Sequence, residues 1–291
     1  MHNVQIDARA EVESTEIGTG TCIGPNCAVS QAVRIGERCR IDANVELHDN
    51  VVLEDRVSIG RNTIVYPNVT IAAGTFVGPG CIIGERLAAF YRSPDTYPNP
   101  PLAIGRSSIV RSHTVLYAGS DLGDELQTGH HVVIREQSVV GHHCQIGSYS
   151  DIQGHVQIGD YCRCHSSVHV GQFSVIGNYV FIFPNSVLTN DPHPPSDSCT
   201  RGPTLLDYCV ICAGAILMPA ITIGKDSVVG ANSLVTKDVE SEKVVLGVPA
   251  RPICTIHDIR CNEGNLEKPY PWREHFSRGM PWDSQQADGS V

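Results

Sequence analysis

Long apolar runs are missing from this chain of 291 residues. None approaches the roughly eighteen consecutive apolar residues that a membrane-spanning helix needs. The N-terminus also lacks a basic and apolar leader, so the sequence predicts a cytoplasmic protein with no membrane partner. Positive charge is scarce: 21 lysines and arginines stand against 31 acidic residues, a net charge of −10. That balance argues against a nucleic-acid partner, because binding a phosphate backbone rests on clustered cations. Aromatic residues make up 6% of the chain, and both tryptophans, Trp272 and Trp282, lie near its end.

What the chain has instead is an aliphatic residue at every sixth position. The beat runs from Ile17 to Ile83, from Ile104 to Leu188 and from Leu205 to Val235. Of these 33 positions 31 hold Ile, Leu or Val, and Thr128 and Cys164 are the exceptions. The second residue of the hexad is often Gly, as in Ile23-Gly24 and Ile146-Gly147. The fourth is frequently Asn, Gly or Asp, types that tolerate a left-handed backbone (Asn26, Asn44, Asn62, Asn232). The fifth is small or β-branched. Each hexad therefore offers a short strand and a turn, too short for a helix and unable to bury its own face. Stacked coils solve that problem. Three hexads per coil make a triangular parallel β-helix of about 11 coils, roughly 50 Å long at about 4.8 Å per strand spacing.

Twelve cysteines suggest a disulfide framework, but their register does not. Cys27, Cys39, Cys81, Cys144, Cys162 and Cys209 take the small inward fifth position and Cys164 an aliphatic one. They read as core residues of a reducing compartment. Cys209-x-x-Cys212 straddles a turn and has no second pair, so no metal site is expected. The chain divides into a lead-in over 1–16, a repeat domain over 17–251 and a non-repeat tail over 252–291. Two Pro-rich segments, 84–103 and 190–204, break the beat after multiples of three hexads. They must leave from one corner of the triangle, five coils apart, as binding loops would. The tail is expected to cap the open end of the coil, which otherwise exposes strand edges.

Histidine is the informative polar residue. The eighteen-residue arithmetic gathers His113, His130, His131, Tyr149 and His165 at one corner, with His142, His143 and His155 at the others. An imidazole with a pKa near 6.5 is the usual proton acceptor at neutral pH.

The [Ile/Leu/Val]-Gly-x-x-[small]-x hexad resembles that of the hexapeptide-repeat acyltransferases. The resemblance covers residues 17 to about 252 and implies a left-handed coil, against the usual right-handed crossover rule. The string from Leu126 to Glu136 is similar to a segment of the family's sugar N-acyltransferases. It implies His130 as general base, with Gln127, His131 and Arg135 near the substrate. The hexad Val140-Gly141-His142-His143-Cys144 resembles that of acyl-ACP-dependent sugar acyltransferases and makes His142 the rival. Thr189-Asn190-Asp191 is similar to the substrate element of sugar-nucleotide N-acetyltransferases, implying Asn190 and Asp191 as contacts, with His155 close by. This chain has His193-Pro194-Pro195 where many relatives carry an aromatic, Pro and Arg. Gly247-Val248-Pro249-Ala250-Arg251 resembles the close of the family's helix, and Ala213, Gly214, Ala231, Lys237 and Arg251 are the implied contacts to CoA.

The resemblance therefore implies a homotrimer that transfers an acetyl group from acetyl-CoA to the amino group of a nucleotide-linked sugar. The alternatives are an acyl-ACP-dependent sugar acyltransferase and a non-catalytic scaffold. Zinc carbonic anhydrases of the same coil pair histidines five residues apart with a third two coils earlier. No two histidines here are five or 36 residues apart.

Overall fold

A computed structural model describes residues 3–196 and 198–283. Residues 1–2 of the lead-in, Asp197 of the second loop and 284–291 of the tail lie outside the described residues. The chain winds into a left-handed parallel β-helix with three faces, sheets of 14, 12 and 11 strands. The first face begins with Gln5–Ile6, the second with Glu11–Val12 and the third with Glu16–Ile17. Each strand pairs with its counterpart one coil on, so that Ile23 lies on Ile41, Ile41 on Ile59 and Ile59 on Val77. We call the turn between first and second faces the first corner. The second corner joins second to third, and the third joins third back to first.

The reasons for the hexad are visible in the packing. Its aliphatic residue is buried in every full coil, forming one continuous core from Ile23 to Val245. Each such side chain contributes about 1.5–3 kcal/mol. The Gly at the second position is there for space. A Cβ on Gly129 would lie 2.2 Å from the Ser148 nitrogen, and one on Gly147 would lie 2.4 Å from the His165 carbonyl carbon. The fourth residue does turn left-handed, at φ 56° for Asn26, 58° for Asn44 and 59° for Asn62. Their amides link coil to coil, Asn26 to Asn44 at 3.1 Å and Asn44 to Asn62 at 2.9 Å.

The fifth residue seals each coil to the next. Thr63 Oγ1 donates to the Gly78 carbonyl at 3.0 Å, Ser138 Oγ to that of Gln153 at 3.0 Å, and Cys162 Sγ to that of Gly177 at 2.9 Å. The cysteines at this position are free and buried. Burial pushes the Cys81 thiol up to about 11 and the Cys164 thiol up to about 12, so both stay as inert neutral thiols.

The repeat extends further than the aliphatic beat that starts at Ile17. Gln5–Ile6 and Glu11–Val12, inside the lead-in, pair with Cys22–Ile23 and Ala28–Val29. At the other end Lys243–Gly247 and Ala250–Thr255 form an antiparallel hairpin that extends the first face. Both loops leave the second face and rejoin the third, from Ile82–Glu85 to Leu102–Ile104 and from Val187–Leu188 to Thr204–Leu205, five coils apart. The first loop is not wholly irregular: it holds a short helix, Ala88–Arg92, and Arg86 lies between the Tyr66 and Phe90 rings at 4.3 and 4.0 Å.

Beyond Thr255 the tail runs elsewhere than over the open end. Trp272 and Met280 are buried against Phe181, Val210, Val228 and Val244, outward-facing residues of the first face, with Phe276 and Trp282 beside them. Trp272 Nε1 donates to the Tyr208 carbonyl at 3.0 Å. The tail is a strap along one side of the prism, and the edge of the first face is covered by Ala250–Thr255. Leu116→Ala in the middle of the core should cost about 2–5 kcal/mol, read as a lower urea midpoint than that of the parent protein.

Candidate active site

The parallel strands of the first face run into the first corner, and this places His130, His131, Ala213, Gly214 and Ala231 along it. His130 follows Gln127–Thr128, Ala213 and Gly214 follow Val210–Ile211, and Ala231 follows Val228–Val229. Four coil steps separate the first pair, about 19 Å at about 4.8 Å each. Four and five coils above His130 the corner is thus walled by residues with little or no side chain, while Ser148, Ser166 and Pro184 stand between.

The expected histidine cluster is divided by the backbone. His113, His131 and Tyr149 take the left-handed fourth position, at φ 60°, 56° and 62°. Their rings stack, His113 on His131 at 4.9 Å and His131 on Tyr149 at 5.2 Å. Each such contact returns about 0.5–1.5 kcal/mol against the about 1–2 kcal/mol of a left-handed residue. His130 and His165 instead border a cleft of about 620 Å³ that opens on the first face, with Gln127 and Thr128 in its floor.

His130 is held from both sides. Its N–H donates to Ser148 Oγ at 3.0 Å, and its Nδ1 lies 2.7 Å from Ser112 Oγ. When Nδ1–H donates to Ser112, Nε2 is left as a bare acceptor. His142 is placed differently: its Nδ1 accepts the Asp124 N–H at 3.0 Å, so the neutral ring carries its proton on Nε2 and has no free lone pair for a base. His165 stacks on Phe183 at 4.6 Å. Burial, then the charge of Arg163, lowers its pKa, which keeps it neutral near pH 7.

Thr128, which breaks the aliphatic beat, has a task here. The Arg111 N–H donates to Thr128 Oγ1 at 2.9 Å, where the neighbouring Gly129 N–H takes a strand carbonyl, that of Ile146, at 2.6 Å. The Thr128 carbonyl is left to accept from Arg111 Nη1 at 2.6 Å. The buried hydroxyl thus holds the Arg111 main chain while the Thr128 carbonyl anchors its guanidinium at the cleft.

The other expected contacts are not with His130. Arg135, His155, Asn190, Asp191 and Lys237 all lie past the second face, at the second corner. Arg135 is engaged by Glu136, at 3.0 and 2.8 Å, and by Gln153 Oε1 at 3.1 Å. His155 stacks on Phe173. The Asn190 carbonyl accepts the Arg201 N–H at 2.8 Å. The Asp191 carboxylate accepts the N–H groups of His193 at 2.9 Å and Ser196 at 2.8 Å, which shapes the loop. Lys237 and Arg251 share a separate cleft of about 440 Å³ at the C-terminal end, with Asp238 and Glu240.

One pair escaped the sequence reading. On the outer surface of the second face Asp151 Oδ2 lies 3.1 Å from His169 Nδ1 and accepts from Gln153 Nε2 at 2.7 Å. With Gln153 bound to Arg135, the amide orientation is set. Asp151 is the acceptor in both bonds, and His169 Nδ1 is the donor, leaving its Nε2 bare. The signal available was two polar residues in a strand column that is otherwise apolar from Ile64 onward (Ile82, Val115, Val133, Val187, Ile216). Among the described residues no three of His, Cys, Asp and Glu converge as a metal site would require.

Known proteins share the repeat. The family described as the hexapeptide repeat of succinyl-transferase matches residues 14–48 and 207–237. Galactoside O-acetyltransferase of Escherichia coli (strain K12) is 34% identical over 90 residues, 28% of this chain and 44% of that protein. Serine acetyltransferase of Bacillus pumilus is 43% identical over 53 residues, 18% and 24% of the two chains. The chain therefore spans less than half the length of the curated relatives it matches. Among solved structures, GDP-perosamine N-acetyl transferase from Caulobacter crescentus, with CoA and GDP-perosamine, covers 62% of this chain and 70% of its own at 18% identity and a TM-score of 0.31. Over those two stretches the hexad of this sequence matches the hexapeptide repeat of that family.

Burial pushes the Asp151 carboxyl upward, but hydrogen bonds from His169 and Gln153 and the charges of His169 and Arg135 outweigh it, so its pKa lies below the ordinary 3.8. A carboxyl lowered on folding contributes stability that is complete above 3.8 and is lost as pH falls through its folded value. Acid unfolding of Asp151→Asn should lack that component, seen as a shallower loss of the melting temperature below pH 4 than in the parent.

Proposed function

We propose that this hexapeptide-repeat β-helix is a CoA-dependent N-acyltransferase, acetylating the amino group of a nucleotide-linked sugar. The observation that carries the reading is the first-corner column. It sets a histidine with an available nitrogen below coils of Ala213, Gly214 and Ala231, where an extended acyl-CoA arm would meet little side-chain bulk. Both curated relatives named above are acetyltransferases, which supports acetyl-CoA as donor; their names speak of galactoside and serine acceptors.

The amine nitrogen attacks the thioester carbonyl carbon. The N–C bond forms, the C–S bond breaks, and His130 Nε2 takes the amine proton and returns it to the CoA thiolate. Backbone N–H groups of the turns would steady the oxyanion. No covalent acyl-enzyme is needed. The second corner, with Asn190, Asp191, Arg135 and His155, reaches His130 only from another copy of the chain, since one prism holds the two corners at opposite edges of its second face. A homotrimer with three clefts between prisms meets that need, and the apolar outer residues Ile82, Val115, Val133, Val187 and Ile216 of the second face suit such packing. Free buried thiols fit a reducing cytoplasm.

Asp151–His169 favours a second reading, in which His169, backed by a carboxylate, takes the proton instead. The two readings separate by mutation. In an acetyl-transfer assay over amino-sugar nucleotides, His130→Asn should lower kcat by roughly 10²–10⁴-fold while calorimetry shows acetyl-CoA binding near the parental affinity. Full activity in His130→Asn together with its loss in His169→Asn would move the base to the second face. Silence of the parent protein towards acetyl-CoA, longer acyl-CoAs and acyl-ACP would leave the scaffold.

A further inference from the structure

The cleft beside His130 has an unusual charge for this protein. The chain carries ten more acidic than basic residues, yet the lining of the cleft contains three arginines, Arg111, Arg163 and Arg278, and no carboxylate. Among the described residues none of the three makes a salt bridge. Other arginines of the chain do find acids: Arg9 pairs with Asp7, Arg40 with Asp42, Arg135 with Glu136 and Arg273 with Asp226. Cations left unpaired in a concave site focus potential there.

The three come from separate parts of the molecule and are positioned at cost. Arg111 is fixed through Thr128, as described above. Arg163 stands on the outer surface of the first face between the rings of Phe181 and Phe276, at 5.5 and 5.1 Å. Its Nη2 donates to the carbonyl of Arg278, which draws the tail down to the rim of the cleft. Gly279 completes the wall in a left-handed turn (φ 65°), where a Cβ would lie 2.9 Å from that same Nη2. Burial and then the charge of Arg278 push the Arg163 guanidinium down from its ordinary value, and Asp283 opposes them. The Asp283 carboxylate is itself engaged by the Gly279 N–H at 2.9 Å. Each guanidinium has five N–H donors, and the bonds described use one on the side chain of Arg111 and one on that of Arg163.

We propose that this cleft is a phosphate-binding site, with Arg111 and Arg163 of the β-helix and Arg278 of the tail holding a mono- or diphosphate group of a reactant. The tail is then part of the site and sets its specificity, which a strap serving only to cover apolar surface would not do. The inference rests on the function proposed above only for which reactant carries the phosphate. A nucleotide-linked acceptor and CoA itself both do.

The test is calorimetry on the full-length protein with pyrophosphate, uridine diphosphate and acetyl-CoA, at two salt concentrations. Arg278→Ala removes an exposed tail side chain, and Arg111→Gln is the second variant; melting curves check that both remain folded. The expected result is pyrophosphate and uridine diphosphate binding that weakens with salt and falls about ten-fold or more in each variant, as loss of a charge-assisted hydrogen bond implies. Acetyl-CoA affinity unchanged in the variants assigns the phosphate to the acceptor. Acetyl-CoA affinity falling in parallel assigns it to the donor. Parental affinity for pyrophosphate and uridine diphosphate in both variants, or no binding of either by the parent, overturns the proposal. Phosphate binding lost on Arg278→Ala in a protein that transfers no acetyl group would fail the proposed function and leave this site standing.

Discussion

Everything in this molecule depends on the parallel hydrogen bonding of one coil to the next, eighteen residues on. A main-chain ladder tolerates no slippage when an aliphatic residue of every strand must point inward. Each position of the hexad is therefore stacked upon its own kind. A residue type that suits the stack once suits it at every level, which is why amides, hydroxyls, thiols and rings run in columns. The columns convert a one-dimensional repeat into surfaces with a defined chemistry at each corner and face.

Against that regularity the functional features are the departures. Thr128 gives up an aliphatic contact, and its hydroxyl takes a main-chain N–H that elsewhere bonds a carbonyl. The freed carbonyl orients Arg111. His130 occupies a third-position slot where serines stand one coil above and below, and those serines hold it. On the second face Asp151 and His169 replace apolar residues. In each case the ladder supplies a rigid mount, so a side chain on a two-residue strand is placed as firmly as one on a long element.

The tail changes what the first face can be. Had it covered the open end of the coil, the apolar outer surface at Phe181, Val210, Val228 and Val244 would lie bare. Docked along the side, it buries that patch and ends at the cleft. Among the described residues the tail thus closes one flank of the molecule and borders a cleft lined by three arginines and no carboxylate.

Six-residue periodicity in the sequence was enough to settle the three faces, the inward residues, the left-handed fourth position and the shared corner of both loops. Each of these follows from local chain geometry repeated coil after coil. It also gathered His113, His130, His131, Tyr149 and His165 at one corner, because a corner is a matter of counting. It extended too little at the N-terminus, where the coil of Gln5–Ile6 and Glu11–Val12 is built on exposed strands with no strong aliphatic beat. It could not separate His130 from His142, since both sit at the third hexad position; only the partner of each Nδ1 distinguishes them. The eighteen-residue register already stacks Asp151 on His169, but the meeting of Arg163 with Arg278, 115 residues apart, belongs to the tertiary structure alone. That contact depends on where an aperiodic segment docks, which no repeat encodes.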